Sequence, residues 1–395
     1  MSGEQTVILS AVRTPIGSFC GSLSSLQAHE LGAKCIQEAV ARSGVKVDDI
    51  SEVIYGQVLT AGHGQNPVRQ ASVNAGLPFS VPATMVNMLC GSGLRSVIMG
   101  AQAISAGDAE CVVAGGQESM SQAHHSVHLR NGVKMGNGTL TDTMIADGLT
   151  DAFKNIHMGI TAENIAAKYK IDRESQDKFS VSSQQKAGVA IKTGAFKDEI
   201  LPIEVPGRKG VVTVSVDEFP KPDTTFEGLQ ALKPAFIRDG SGTVTAGNAS
   251  GLNDGAAALV LSSTSFAKNA GIKPLAKIQA YAFTGVDPSI MGIGPVSAVQ
   301  AALKKAGWKV SDVDLFELNE AFASQSLAVV KELGISPDKV NINGGAIALG
   351  HPIGASGARV LVTLLYALKR TNGKKGVAAL CIGGGMGVAL CVEMM

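Results

Sequence analysis

The chain has 395 residues, 45% of them hydrophobic and 17% charged, enough for a large core and more than one domain usually holds. Its formal net charge of +1, with no basic tail or long basic run, excludes a general nucleic-acid-binding role. The six cysteines (Cys20, Cys35, Cys90, Cys111, Cys381, Cys391) show neither CxxC spacing nor an accompanying histidine cluster, so no disulfide framework or zinc site is indicated and a reducing compartment is the simplest setting.

In chain order, MSGEQTVILSAVRTP runs directly into an apolar strand, and no basic, apolar or Arg/Ser-rich leader is visible. LGAKCIQEAVARSG carries apolar residues at helical spacing, and SEVIYGQV reads as a second strand. NMLCGSGLRSV, from Asn87 to Val97, sets Cys90 between the end of a strand and a Gly-Ser-Gly turn that opens an alanine-rich helix. A sulfur there meets unpaired backbone N–H groups and the positive end of a helix, which favours the thiolate. From about Ser121 to Ala249 the texture turns polar and irregular, as expected of an insertion on the first half. It holds an expected hairpin at His125–Asp142, two helical stretches (GITAENIAAKYK and RESQDKFSVSSQQKAGVAIKTG) and a Lys- and Pro-bearing run, VPGRKGVVTVSVDEFPKPD. Its basic residues Arg208, Lys209, Lys221, Lys233 and Arg238 either meet phosphate or form a solvated face. Near the end, Gly376 to Val392 is uncharged and about long enough for a membrane span, but its GGGMG centre predicts two buried strands joined by a glycine turn. The closing CVEMM is not a peroxisomal tripeptide.

The order of elements repeats. Aligning Gly44 with Gly307 also pairs Lys46 with Lys309, Val47 with Val310 and Asp49 with Asp312 at one constant offset. SGLRSVIMGAQAI after Cys90 resembles SGARVLVTLLYAL after His351, and ECVVAGG resembles AALCIGG. This predicts an α/β fold made by duplication, each half with a mixed sheet and covering helices. Two such halves facing across a pseudo-twofold place Cys90 of one and His351 and Cys381 of the other at one cleft.

Four short blocks carry the candidate chemistry: NMLCGSGLR with Cys90, FELNEAFA with Asn319 and Glu320, GGAIALGHPIGASGAR with His351, and LCIGGGMG with Cys381. Singly, each has a structural explanation: a core cysteine, a helix cap, a turn histidine, core filling. Together they supply a nucleophile, a base for its proton, a second thiol to act as acid or base, and an amide to hold a water on a carbonyl oxygen. Those are the parts of acyl transfer with carbon–carbon bond chemistry.

NMLCGSGLR, GNASGLNDGAA, VDPSIMGIGP, NEAF, GHPIGASGAR and CIGGGMG, in this order and over essentially the whole chain, resemble the thiolase family. HPIGASGAR, Met291 and the HMG tripeptide from His157 to Gly159 are more similar to its short-chain acetoacetyl-CoA thiolases than to the long-chain 3-ketoacyl-CoA enzymes. GVKMGNGTLTD and CIGGGMGVALCV are similar to the cytosolic form, so the resemblance implies a cytoplasmic enzyme that feeds mevalonate and sterol synthesis. It also implies two duplicated halves with mixed five-stranded sheets in αβαβα layering. Residues 1–120 and 250–272 would form the first half, 121–249 an inserted loop domain, and 273–395 the second half.

The activity implied is reversible condensation of two acetyl-CoA to acetoacetyl-CoA and CoA by a ping-pong mechanism. In that scheme Cys90 is acylated, His351 takes its proton, Cys381 moves the proton of the second acetyl group's α carbon, and Asn319 fixes a water on the thioester oxygen. The N–H groups of Cys90 and Gly383 hold the acyl oxygen. The resemblance carries the CoA contacts onto Leu149, His157, Met158, Lys221, Ala235, Phe236, Ala246, Ser250, Leu252, Met291, Ala321 and Phe322. Lys221 stands where relatives often have arginine and Gly228 where some have serine. Coenzyme A is then substrate and product, with no cofactor and no metal for the proton transfers, although some relatives bind potassium or chloride. Acetyl-CoA, acetoacetyl-CoA and CoA are the implied partners, with no nucleic acid or membrane, and the His125–Asp142 hairpin resembles a loop that makes homotetramers. The alternatives are a degradative 3-ketoacyl-CoA thiolase of broader chain length and, in a different class, a non-catalytic acyl-CoA-binding relative. A ketoacyl-carrier-protein synthase needs two late histidines where this chain has His351 and Cys381.

Overall fold

Runs such as TVILSAVR and NDGAAALVLSS are apolar without alternation because their strands are covered on both faces: Thr6–Arg13 and Asn253–Ser263 are buried at every residue. The computed structural model describes residues 4–207 and 210–395, so Arg208 and Lys209 lie outside the described residues. Its main sheet has ten strands. In spatial order they are Leu315–Leu318, Lys375–Ile382, Met386–Met394, Ala276–Gly285, Thr6–Arg13, Asn253–Ser263, Cys111–Ser119, Glu52–Gly56 and Ala83–Val86, with Gly17–Ser18 paired to Asn253–Ser263.

The two halves meet edge to edge at the middle of this order, where Val7 and Ile8 pair antiparallel with Lys277 and Ala276. The α/β architecture is the expected one, but the sheets form one continuous surface, and the second half lacks a regular fifth strand. The position that Ala83–Val86 fills in the first half is reduced in the second to a single bridge between Phe316 and Val340. Pro337 opens a short 3-10 turn over Pro337–Lys339 just before that bridge, and a proline has no N–H for a ladder.

Side chains alternate across the sheet and sort the molecule into layers. On Lys375–Ile382, Ala378, Leu380 and Ile382 enter the central core while Val377 and Ala379 enter an outer one. The central layer holds the helices Ser92–Ala106 and Ile353–Thr371. Ala28–Ser43 and Pro67–Asn74 cover the outer face of the first half, and Gly294–Ala306 and Ala323–Leu333 that of the second. The duplication holds residue by residue: Gly44 (φ 73°) and Gly307 (φ 70°) end equivalent helices in the left-handed conformation, and 3-10 turns follow at Val47–Asp49 and Val310–Asp312.

In the polar region, the hairpin base pairs His125–Ser126 with Thr141–Asp142, and helices occupy Met158–Tyr169 and Arg173–Lys192. The Lys- and Pro-bearing run is itself a hairpin, Ile203–Gly207 with Gly210–Val214, because Ile203 and Val205 bury alternate positions against the first half. Gly376 to Val392 is two strands with a turn at Gly384 and Gly385, and among the described residues no helix is long and apolar enough to cross a membrane.

The two central helices touch backbone to backbone. A methyl group at Gly93 would lie 2.6 Å from the Ala358 nitrogen, one at Gly56 would lie 2.7 Å from the Gly354 oxygen, and one at Gly357 would overlap the Leu94 nitrogen. The glycines around Cys90 and His351 are therefore a packing requirement that lets the starts of the two helices abut. Replacing Gly357 by alanine forces backbone apart and is expected to destabilise the protein by about 1–3 kcal/mol or more. Thermal unfolding of Gly357→Ala should give a clearly lower Tm, and an unchanged Tm would count against this account of the crossing.

Candidate active site

Cys90 sits in a turn whose shape is held locally. Met88 N–H donates to Ser92 Oγ at 2.8 Å and the Ser92 hydroxyl donates to Leu89 O at 2.7 Å, while Leu89 itself adopts φ 48°. A non-glycine residue in the left-handed region persists only where its surroundings impose it. Here the surroundings are the glycine turn of the other half. A methyl group at Gly91 would meet Ile382 at 2.5 Å, and one at Gly383 would meet Leu89 at 2.9 Å. The NMLCG and CIGGG turns are thus face to face, and Cys381 lies within electrostatic reach of Cys90.

The backbone N–H groups of Gly383 and of Cys90 itself hydrogen-bond to the Cys90 sulfur, and both favour its thiolate. Burial is the larger effect and pushes the thiol up to about 11. The helix start and the two amides work for the thiolate and burial works against it, and Cys90 keeps part of its surface exposed. Cys381, wholly buried, is pushed further up by burial and then by Cys90.

His351 follows Gly350 (φ 105°) and precedes the Ile353–Thr371 helix. Its N–H donates to Asn253 Oδ1 at 2.9 Å. Its Nδ1 is 2.6 Å from Ser356 Oγ, which donates its one proton to Pro352 O at 2.9 Å. Ser356 must then accept from Nδ1–H, so Nε2 carries the lone pair. That lone pair is 3.4 Å from Asn319 Nδ2, and Asn319 Oδ1 is buried without a protein partner. Burial, aided by the charge of Arg359, pulls His351 down to about 3, so the ring is neutral. A thiol near 11 and an imidazole near 3 both rest neutral.

Several residues expected to contact CoA or line its pocket converge on Cys381. Met158, Met291, Ala321 and Phe322 form one apolar cluster with it, flanked by Phe236. The His157 ring stacks on Phe236 with centroids 4.7 Å apart, and Gly159 is glycine because any side chain there would enter that phenyl ring. Leu149 and Leu252 pack with Cys90 in the neighbouring cluster. Ser250 N–H donates to Ala321 O at 2.9 Å, which ties the GNASG loop to NEAF. Lys221 and Ala246 line an open groove of about 420 Å³ with Gly228, Phe219 and Leu229. Ala235, Lys233 and Arg238 are exposed.

Glu320, in contrast to its neighbour Asn319, serves the framework: it accepts from Ser183 Oγ at 2.7 Å, Asn341 Nδ2 at 2.9 Å and Ile347 N at 3.2 Å. Two site residues escape a reading of the sequence, Ser356 and Asn253. Both lie inside the quoted motifs, but nothing in a serine five residues after a histidine announces that it sets the ring's tautomer.

The thiolase N-terminal domain model matches residues 6–265 and the thiolase C-terminal domain model matches residues 272–394. The chain belongs to the thiolase family. It is 57% identical over 390 residues to the cytosolic acetyl-CoA acetyltransferase of Rattus norvegicus, covering 99% of this chain and 98% of that protein. It is 62% identical over 391 residues to an acetyl-CoA acetyltransferase of Chromobacterium violaceum, covering 98% and 99%. The crystal structure of the Bacillus anthracis acetyl-CoA acetyltransferase superposes with a TM-score of 0.97 at 46% identity, covering the whole of both chains. For this thiolase the neutral resting pair has a measurable consequence. Alkylation of Cys90 by iodoacetamide should keep accelerating with pH to beyond about 10, whereas an ordinary cysteine levels off near about 8.5 to 9. A plateau at or below neutral pH would mean a resting thiolate. Ser356→Ala, which frees the His351 tautomer, should lower kcat by roughly 10- to 100-fold, measured as thiolysis of acetoacetyl-CoA.

Proposed function

We propose that this thiolase is an acetyl-CoA acetyltransferase that joins two acetyl-CoA into acetoacetyl-CoA and CoA, and runs the reverse thiolysis. The observation that supports this reading is the meeting of the NMLCG and CIGGG turns, which brings the Cys90 and Cys381 thiols near the Cys90 and Gly383 amides, together with a neutral His351 set against Asn319. The relatives named above, which share its full length, carry that activity in their names.

The roles follow from proton balance. Cys90 Sγ attacks the thioester carbon while its proton passes to His351 Nε2, and the developing oxyanion takes the N–H groups of Cys90 and Gly383. Because both groups rest neutral, transfer accompanies attack and is not completed beforehand. Cys381 is also a thiol at rest, so it can become a base only by giving up its proton, and the departing CoA thiolate needs one. CoA leaves as the thiol, acetyl-Cys90 remains, and Cys381 is a thiolate. It then removes the α proton of a second acetyl-CoA, whose enolate oxygen is held by the protonated His351 and a water on Asn319. The carbanion attacks acetyl-Cys90, the C–S bond breaks, and the Cys90 thiolate recovers its proton from His351. Every group returns to its starting state.

Met158, Met291, Phe236 and Phe322 close around Cys381, which favours a two-carbon acyl group over a long one. The groove at Lys221 and Ala246 suits the nucleotide end of CoA. A tetramer follows from the His125–Asp142 hairpin, which turns Leu129, Met135 (95% exposed) and Leu140 outward. Cytosolic supply of acetoacetyl-CoA to the mevalonate route completes the reading, in keeping with the name of the rat relative.

Two measurements test it. Thiolysis with CoA should favour acetoacetyl-CoA strongly over a long-chain 3-ketoacyl-CoA and fall by more than about 1,000-fold in Cys90→Ala; equal turnover of the long chain would point to a degradative enzyme. Light scattering of wild type and of Met135→Glu with Leu140→Lys should give a tetramer and a smaller species respectively, and equal masses would remove the hairpin from assembly.

A further inference from the structure

Cys111–Ser119 is buried at every residue, yet its penultimate residue is a glutamate. Glu118 lies at 0% exposure, and its hydrogen-bond partners are backbone amides. Oε2 accepts from Val58 N at 3.1 Å and from Gly354 N at 2.9 Å, and Oε1 accepts from Leu59 N at 3.2 Å. A carboxylate without solvent is costly unless such donors replace its hydration.

The three donors come from two separate places. Val58 and Leu59 follow the strand Glu52–Gly56 and pack with Leu89, Cys90 and Ile353. Gly354 is the second residue of the helix that begins just after His351, where unpaired N–H groups and the helix dipole attract a negative charge. The approach is close enough that a methyl group at Gly354 would lie 2.7 Å from Oε2 and 2.8 Å from the Gln57 Cα.

We propose that Glu118 is a positioning residue for acyl transfer, its carboxyl group clamping the start of the His351 helix to the Val58–Leu59 loop and so fixing the imidazole relative to Cys90. This rests on the reading of Cys90 as nucleophile and His351 as its base. The ionisable groups that face Glu118 are Cys90 and Asp254 of the adjoining strand, the latter held by Ser119 and Ser121. Burial pushes the Glu118 carboxyl up to about 8, the three amides pull the other way, and its charge works against a Cys90 thiolate.

Glutamine and aspartate separate the two effects. Glu118→Gln removes the charge and sets an NH2 group against an amide donor, whereas Glu118→Asp keeps the charge and withdraws it by one methylene. With the full-length enzyme, both variants should lose roughly 10- to 100-fold in kcat for acetoacetyl-CoA thiolysis while KM for CoA stays within about twofold. The pH profile of iodoacetamide labelling at Cys90, read by peptide mass, should move to lower pH in Glu118→Gln and stay in place in Glu118→Asp. A kcat within about twofold of wild type in both variants, or a Glu118→Gln profile that does not move, overturns the proposal. Labelling of wild type that misses Cys90, or leaves activity intact, would instead overturn the nucleophile reading. If neither variant folds, wild-type hydrogen exchange decides: a Gly354 amide protected like a helix interior supports the clamp, and exchange at the rate of an open loop overturns it.

Discussion

The structure depends on one contact, the crossing of two related helices at glycines. Gly93 and Gly357 remove the side chains that would hold Ser92–Ala106 and Ile353–Thr371 apart, so each backbone rests on the other. Because Cys90 and His351 stand just ahead of these helices, the crossing carries the two reactive loops to one point. The same economy of side chains recurs at Gly56 against Gly354 and at Gly91 and Gly383 between the two turns. A chain with 47 glycines and an aromatic content of 4% is suited to this mode of packing, in which backbones close on one another with small aliphatic filling.

Dehydration sets the electrostatics of the site. Packing strips solvent from Cys381 and His351 and from part of Cys90, and burial drives each toward its neutral form. A thiol that rests neutral is less open to adventitious electrophiles than a thiolate. It also makes the amide donors at Cys90 and Gly383 count where charge develops, since fixed dipoles in a dry site need no reorganisation. The His351 ring is oriented by groups of both halves, Asn253 from the first and Ser356 and Asn319 from the second.

Much of this was legible in the amino-acid order. The matched glycines at 44 and 307 announced a duplicated unit, and the both-sided apolar strands announced a layered α/β molecule. Four short motifs named Cys90, Asn319, His351 and Cys381. The balance between helix dipole and burial at Cys90 is not legible there, because the order of residues displays the turn but not the packing around the sulfur. The Ile203–Val214 hairpin was taken as an irregular run, since glycine and proline mask its alternation. The missing fifth strand of the second half is not announced by its prolines, since Pro82 directly precedes the strand Ala83–Val86 and Pro337 stands only a few residues before the Val340 bridge.

The sequence by itself determined the main element types, the duplication and the candidate reacting groups, since these rest on local spacing and on residue chemistry. Only the tertiary structure decided that the CIGGG turn presents its N–H group to Cys90, which tautomer His351 holds, and that Glu320 supports the framework while its neighbour Asn319 faces the histidine. The physical reason is that burial and hydrogen bonding at these atoms come from groups that only folding brings together, such as Asn253 with His351 and Ser183 with Glu320. Charge state and orientation depend on those neighbours, and no local pattern encodes them.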